Sequence, residues 1–221
     1  MNRILAVAVV AVIGAFGVFL WLGSQPQAPG VTLGAVNAQE AGDIDTSGVL
    51  EMSMGNPDAD VTVIEYASFT CPHCRSFHEG AFKDLKKDYI DTGKINFIYR
   101  EVYFDRFGLW AGMLARCGGE ERYFGLVDLI YENQSEWAAG NDPSVIAGNL
   151  RRLGRTAGLS DEQVNACLQD ADMAQAMVAV YQENATADGV SSTPSFLING
   201  QVYQNMPYAE FSQILDEALG G

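Results

Sequence analysis

An α/β chain with an all-helical block inserted between two parts of its sheet is predicted by three observations. A β-branched and aromatic run at 61–67 is followed by a helical period from Pro72 and a second strand-like run at 94–100, the order of a parallel strand-helix-strand crossover. Between about 107 and 188 apolar residues recur at helical spacing and no convincing strand pattern appears. Finally, the runs Ser195–Ile198 and Gln201–Gln204 flank Asn199-Gly200, a dipeptide suited to a two-residue hairpin turn.

Taken in order, Leu50–Met54 reads as a short edge strand, closed by the turn residues Asn56-Pro57-Asp58. Val61–Ala67 is apolar at almost every position, which suits a strand covered on both faces. A helix is expected from Pro72 to about Asp91, with Phe77, Ala81, Leu85 and Tyr89 on one face. Further helices are expected over 109–118, 121–133, 144–158, 160–170 and 173–187, with Ser160 and Gln163 placed as a capping box. Pro207–Leu219 closes the chain as an amphipathic helix, with Tyr208, Phe211, Leu215 and Leu219 on one side.

At 221 residues and 48% hydrophobic, the chain can bury one good core. A net charge of -15 argues against nucleic acid as a partner, because phosphate binding needs clustered Lys and Arg. Residues 4–22 carry no charge, and a helix of about 19 apolar residues nearly spans a bilayer. Residues 1–22 are therefore read as a signal-anchor or a signal peptide. No Lys or Arg occurs between Arg3 and Arg75, so the positive-inside rule leaves Arg3 in the cytoplasm and exports the bulk of the chain. An uncleaved anchor is expected; cleavage near Val36-Asn37-Ala38 is the alternative. Residues 23–49, mixed in Gly, Pro, Ala, Gln and Asp, read as a flexible linker, and 50–221 as the folded domain.

The chemistry concentrates in Cys71-Pro72-His73-Cys74. Cys71 falls at a helix N-terminus, where unpaired N–H groups and the helix dipole favour an anionic sulfur. Pro72 gives up an N–H that had no helical partner, and His73 can bring an imidazolium near the same sulfur. A thiol pKa lowered by roughly three units would favour the reduced form by about 4 kcal/mol, on the order of 90 mV. Cys74, one turn deeper, is read as the partner that resolves mixed disulfides. Glu65, an acid within an apolar strand, is costly unless paired or used; it is read as a proton relay to the inner thiol, with a solvent-reaching carboxylate as the alternative. Cys117 and Cys167 are expected to form a structural disulfide between two helices, with a second redox pair or free thiols as alternatives. His78, one turn beyond Cys74, is read as a helix-surface residue.

These residues, in this order, resemble the DsbA family of bacterial thiol-disulfide oxidoreductases. The resemblance runs from Leu50 to the C-terminus and rests on Glu65 six residues before Cys71, on the Cys-Pro-His-Cys run, on Thr193-Pro194 ahead of the Ser195 strand and on the long helical insertion. It implies a thioredoxin-like fold with an inserted all-helical subdomain at about 107–188. It further implies donation of the Cys71-Cys74 disulfide to reduced exported proteins, reoxidation by a membrane partner of the DsbB type, a monomer, no cofactor and no metal. It places the domain in the periplasm, tethered to the inner membrane or released. It implies a cis bond at Thr193-Pro194, with Thr193 offering backbone hydrogen bonds to an extended substrate. Thr before this proline is a departure: the best-known oxidants of the family carry Val there, and several reductive or isomerising relatives carry Thr. A membrane-tethered reductase or isomerase is therefore the second reading. A metal-binding chaperone using Cys71, Cys74 and a histidine is the remote one.

Overall fold

The computed structural model describes residues 44–221. The apolar run 4–22, the Val36-Asn37-Ala38 site and most of the linker lie outside the described residues. Among the described residues, no helix is long and apolar enough to cross a membrane.

Five strands form one sheet in the order β1-β3-β2-β4-β5. They are β1 (Met52–Gly55), β2 (Val61–Ala67), β3 (Ile95–Glu101), β4 (Ser195–Ile198) and β5 (Gln201–Gln204). β2 and β3 run parallel, Val61 opposite Ile95 and Glu65 opposite Tyr99. The other pairings, β1 with β3, β2 with β4 and β4 with β5, are antiparallel. β4 and β5 meet at Asn199-Gly200, where φ is 48° and 85°, the left-handed pair that a tight type I′ hairpin requires.

The helices are α1 (Pro72–Glu79), α2 (Ala81–Leu85), α3 (Arg106–Cys117), α4 (Glu120–Glu132), α5 (Gln134–Trp137), α6 (Pro143–Thr156), α7 (Asp161–Leu168), α8 (Ala171–Ala187) and α9 (Tyr208–Ala218). The expected single helix from Pro72 to Asp91 is broken. Gly80 leaves helical geometry at φ -120°, ψ -100°, and after α2 the chain widens into a π-helical turn, Lys86–Ile90. Gly has the highest backbone entropy of any residue, so it is the weakest point of that run. The short α5 has no apolar period of its own and escapes a periodicity reading. The capping box is present: Ser160 accepts from the Gln163 N–H and Gln163 reaches back to the Ser160 N–H.

Alternation along β2 divides the core. Val63 and Ala67 join Cys74, Phe77, Phe196 and Phe211 in the main cluster, whereas Tyr66 faces the other way with Val102, Leu197 and Ala185. Glu65 has the parity of Val63 and Ala67 and therefore points under α1. The helical block is tied to the sheet by charge as well as packing. Arg116 of α3 donates through Nε (2.8 Å) and Nη2 (2.6 Å) to both carboxylate oxygens of Glu101 at the end of β3. Tyr123 of α4 donates to the same Glu101 at 2.8 Å.

Candidate active site

The loop Ser68–Thr70 carries the chain from β2 to Cys71, the N-cap of α1, with Pro72 at the first helical position. The Cys74 N–H donates to Cys71 Sγ at 3.4 Å. On the other side Sγ lies 3.6 Å from the Thr193 carbonyl oxygen, to which the thiol donates when protonated. The Thr193-Pro194 bond is cis. Both cysteines are free; Cys71 is half-buried and Cys74 fully buried.

Their environments push the two thiols apart. A hydrogen bond from the Cys74 side chain does most to hold Cys71 down at about 5, helped by the Thr193 side chain and by the Cys74 and His73 N–H groups, against partial burial. The His73 imidazole is exposed, so what reaches the sulfur from His73 is its backbone N–H. Burial, first, and then the bond to Cys71 and the charge of Glu65 push the Cys74 thiol far up. One thiol is thus anionic and accessible, the other neutral and covered.

Glu65 is fully buried, and its partner is His78. Nε2 lies 3.2 and 3.0 Å from the two carboxylate oxygens. His78 is 4% exposed, so the expectation of a surface histidine is wrong. The signal was present: Cys74, Phe77 and His78 stand at i, i+3 and i+4, one helical face, and Phe77 marks that face as buried. The imidazole stacks on Tyr131 at 4.4 Å between centroids and contacts Phe82 at 4.5 Å.

The helical block also fixes the active-site loop, through residues that motif reading does not find. Gln134 Nε2 donates to the Phe69 carbonyl at 2.7 Å and the Cys71 carbonyl at 3.0 Å. Tyr131 donates to the Ser68 carbonyl at 3.2 Å, and Thr70 donates to Asp105, the N-cap of α3, at 2.7 Å. Gln134→Ala is expected to cost about 1–3 kcal/mol, because it leaves the Phe69 carbonyl unpaired in a buried setting and the Cys71 carbonyl with the Arg75 N–H as its remaining donor. The denaturation midpoint should fall without a change in slope; an unchanged midpoint would count against this buttress.

Cys117 and Cys167 are joined, linking α3 to α7 across 50 residues. Cys117 ends α3, whose N-cap Asp105 touches Thr70 beside Cys71. The helix therefore carries the Cys117 bridge at one end and the contact to the Cys71 loop at the other, about 18 Å along its axis from Asp105 to Cys117 at 1.5 Å per residue. Among the described residues, no cluster of three or more His, Cys, Asp or Glu side chains could hold a metal ion.

A cis-proline strand beside a helix-capping Cys-x-x-Cys, with two parallel strands at the centre of a mixed sheet, defines a thioredoxin-like protein. The thioredoxin family model matches residues 47–217, and the chain belongs to that family. Within it, the likeness is to DsbA proteins. The crystal structure of Wolbachia pipientis alpha-DsbA1 superposes with a TM-score of 0.71 at 28% identity, covering 77% of this chain and 91% of that one. A Rickettsia bellii relative, provisionally named a protein-disulfide oxidoreductase, is 34% identical over 170 residues. That match covers 76% of this chain and 64% of the relative, so the chain spans less than two thirds of the relative's length. Disulfide bond formation protein D of Bacillus subtilis is 26% identical over 180 residues, covering 76% of this chain and 77% of that protein.

Proposed function

We propose that this protein is a thiol-disulfide oxidoreductase that donates its Cys71-Cys74 disulfide to reduced exported proteins. The observation that carries the reading is the split between the thiols: Cys71 held at about 5 and half-buried, Cys74 pushed up and covered. A substrate thiolate attacks Cys71 Sγ, the Cys71–Cys74 bond breaks, and Cys74 takes the electron pair and a proton. A second substrate thiolate then attacks the first substrate sulfur and expels Cys71 as a thiolate. Two substrate thiols become one disulfide and the enzyme pair is reduced. Because Cys71 is stable as an anion, it is a good leaving group, and the reduced state is favoured.

In this reading Pro72 and His73 shape the helix N-terminus around the sulfur, and Glu65 exchanges the Cys74 proton. The Thr193 carbonyl, already within reach of Cys71, and the edge at Pro194 take an extended substrate strand. The Cys117–Cys167 bridge is structural; by loop closure over its 50-residue separation it contributes about 4 kcal/mol. The uncharged run at 4–22 supports a place on the periplasmic side of a bacterial inner membrane, with a DsbB-type membrane partner restoring the disulfide. Thr193 supports a reductive or isomerising direction as the second reading.

The test is oxidation of a reduced, unfolded model substrate such as ribonuclease A by the oxidised protein. Ribonuclease activity should return with stoichiometric loss of the Cys71-Cys74 disulfide. With Cys74→Ser, which has no Cys71-Cys74 disulfide to donate, the substrate should stay reduced and inactive. A substrate left fully reduced by the parent protein would rule the oxidase reading out.

A further inference from the structure

Glu65 cannot return a proton to solvent by itself. It is fully buried, and the side chain bonded to it is His78. Yet each turnover moves one proton onto Cys74 and each reoxidation takes one away, in a site walled by Phe69, Phe77, Tyr99 and Tyr131. A carboxyl group that accepted this proton with no exit would have to wait for the interior to open.

His78 offers the exit. Its Nε2 is bonded to Glu65, and its Nδ1 is, among the described residues, the only buried side-chain nitrogen or oxygen without a protein partner. The ring lines a surface cleft of about 80 Å3 between α1, α2 and α4, and a water needs only about 10–15 Å3 of such space. An imidazole can hold a proton on one nitrogen while releasing another from the second. The groups around it have distinct places. Glu65 faces Nε2 from β2. Tyr99 and Tyr131 cover the ring from β3 and α4. Asp128 and Glu132 of α4, Lys83 and Lys86 from the α2 side and Glu79 of α1 line the cleft. The cleft is thus ringed by charges of both signs and large enough to hold water. Asp128 lies close enough to sense His78 electrostatically.

We propose that His78 is the positioning residue that links the Cys74 proton to solvent, toggling with Glu65 so that the buried pair stays neutral. This rests on the oxidoreductase reading above. In the reduced protein Glu65 is a carboxylate and His78 an imidazolium. On reoxidation Cys71 is held in a mixed disulfide. The Cys74 thiol gives its proton to Glu65 and its sulfur attacks Cys71 Sγ; the Cys71–partner bond breaks and the partner leaves as a thiolate. His78 releases the Nδ1 proton into the cleft. Glu65 is then a neutral acid, His78 a neutral imidazole and Cys74 a disulfide sulfur. Reduction reverses each proton move, so one solvent proton is exchanged per cycle and no net charge is left on the pair.

The chain has two histidines, so isotope-labelled imidazole resonances of the full-length chain can be assigned by comparison with His73→Ala. At neutral pH, His78 should report imidazolium in the reduced protein and neutral imidazole in the oxidised one. The same protonation state in both forms would overturn the relay. Kinetically, His78→Gln keeps an amide donor for Glu65 but cannot pass a proton. It should slow Cys74-dependent resolution of a Cys71–glutathione mixed disulfide by about tenfold or more. Formation of that mixed disulfide from reduced protein and oxidised glutathione, a Cys71 reaction, should change less than about twofold. Resolution at the parent rate would overturn the relay alone. A parent protein that does not exchange with glutathione at all would overturn the oxidoreductase reading, and the relay with it.

Discussion

Reduced protein is expected to hold Cys71 as a thiolate at neutral pH, with its far-ultraviolet thiolate absorbance and its alkylation rate both titrating near pH 5. An ordinary thiol of pKa 9.0 would be almost wholly protonated there, so a value of about 5 raises the thiolate-to-thiol ratio about ten-thousandfold. The energetic counterpart, taken at face value, is about 5 kcal/mol, and solvent screening at a half-buried sulfur reduces it to about 2–3 kcal/mol. The folded pKa lies below the unfolded one. The reduced native state therefore gains this stability in full above the ordinary thiol range and loses it as pH falls through about 5. The oxidised state has no thiolate and no such dependence. At neutral pH, midway between the two pKa values, about half of that stability is present, so reduced protein should melt higher than oxidised protein by about 3–6 °C, and the gap should close toward pH 5. An oxidised form that melts higher at neutral pH would contradict the thiolate account.

Arg116→Met is expected to be among the most damaging single changes outside the four cysteines. Arg116 and Glu101 expose 11% and 4% of their side chains and are bonded bidentately. The guanidinium also donates to the Leu50 carbonyl at 2.8 Å. Removing it strands a buried carboxylate with Tyr123 as its remaining donor, a loss of about 3–5 kcal/mol, or on the order of 10 °C in Tm. Because Glu101 ends β3 while Arg116 and Tyr123 stand on α3 and α4, the damage should centre where helical block meets sheet. Adding Glu101→Gln should recover much of the loss, since the stranded charge goes with it. A single variant that loses under about 1 kcal/mol would show that the pair is not buried as described.

What could be read from the sequence was what local patterns encode. The hairpin at Asn199-Gly200, the capping box at Ser160 and the parallel pair around α1 follow from turn chemistry and periodicity, so strand limits fall within a residue or two. Glu65 and Cys71 stand out because each is the wrong residue type for an ordinary strand or helix start. What the sequence hid depends on contacts between distant segments. Gln134 sits 63 residues from the Cys71 carbonyl it supports, and nothing in its own segment marks it. His78 was misjudged because its partner lies on another element, although its spacing from Cys74 and Phe77 already placed it inward. Gly80 broke a helix whose apolar period continued through it; periodicity reports which face is buried and is blind to where the backbone bends.

The most direct test of the site is the equilibrium of the Cys71-Cys74 disulfide with glutathione, in a Cys117→Ala, Cys167→Ala variant so that one pair reports. A stabilised Cys71 thiolate predicts a potential between about -180 and -120 mV, the range of disulfide donors. A value near about -270 mV, the range of thiol reductants, would contradict it.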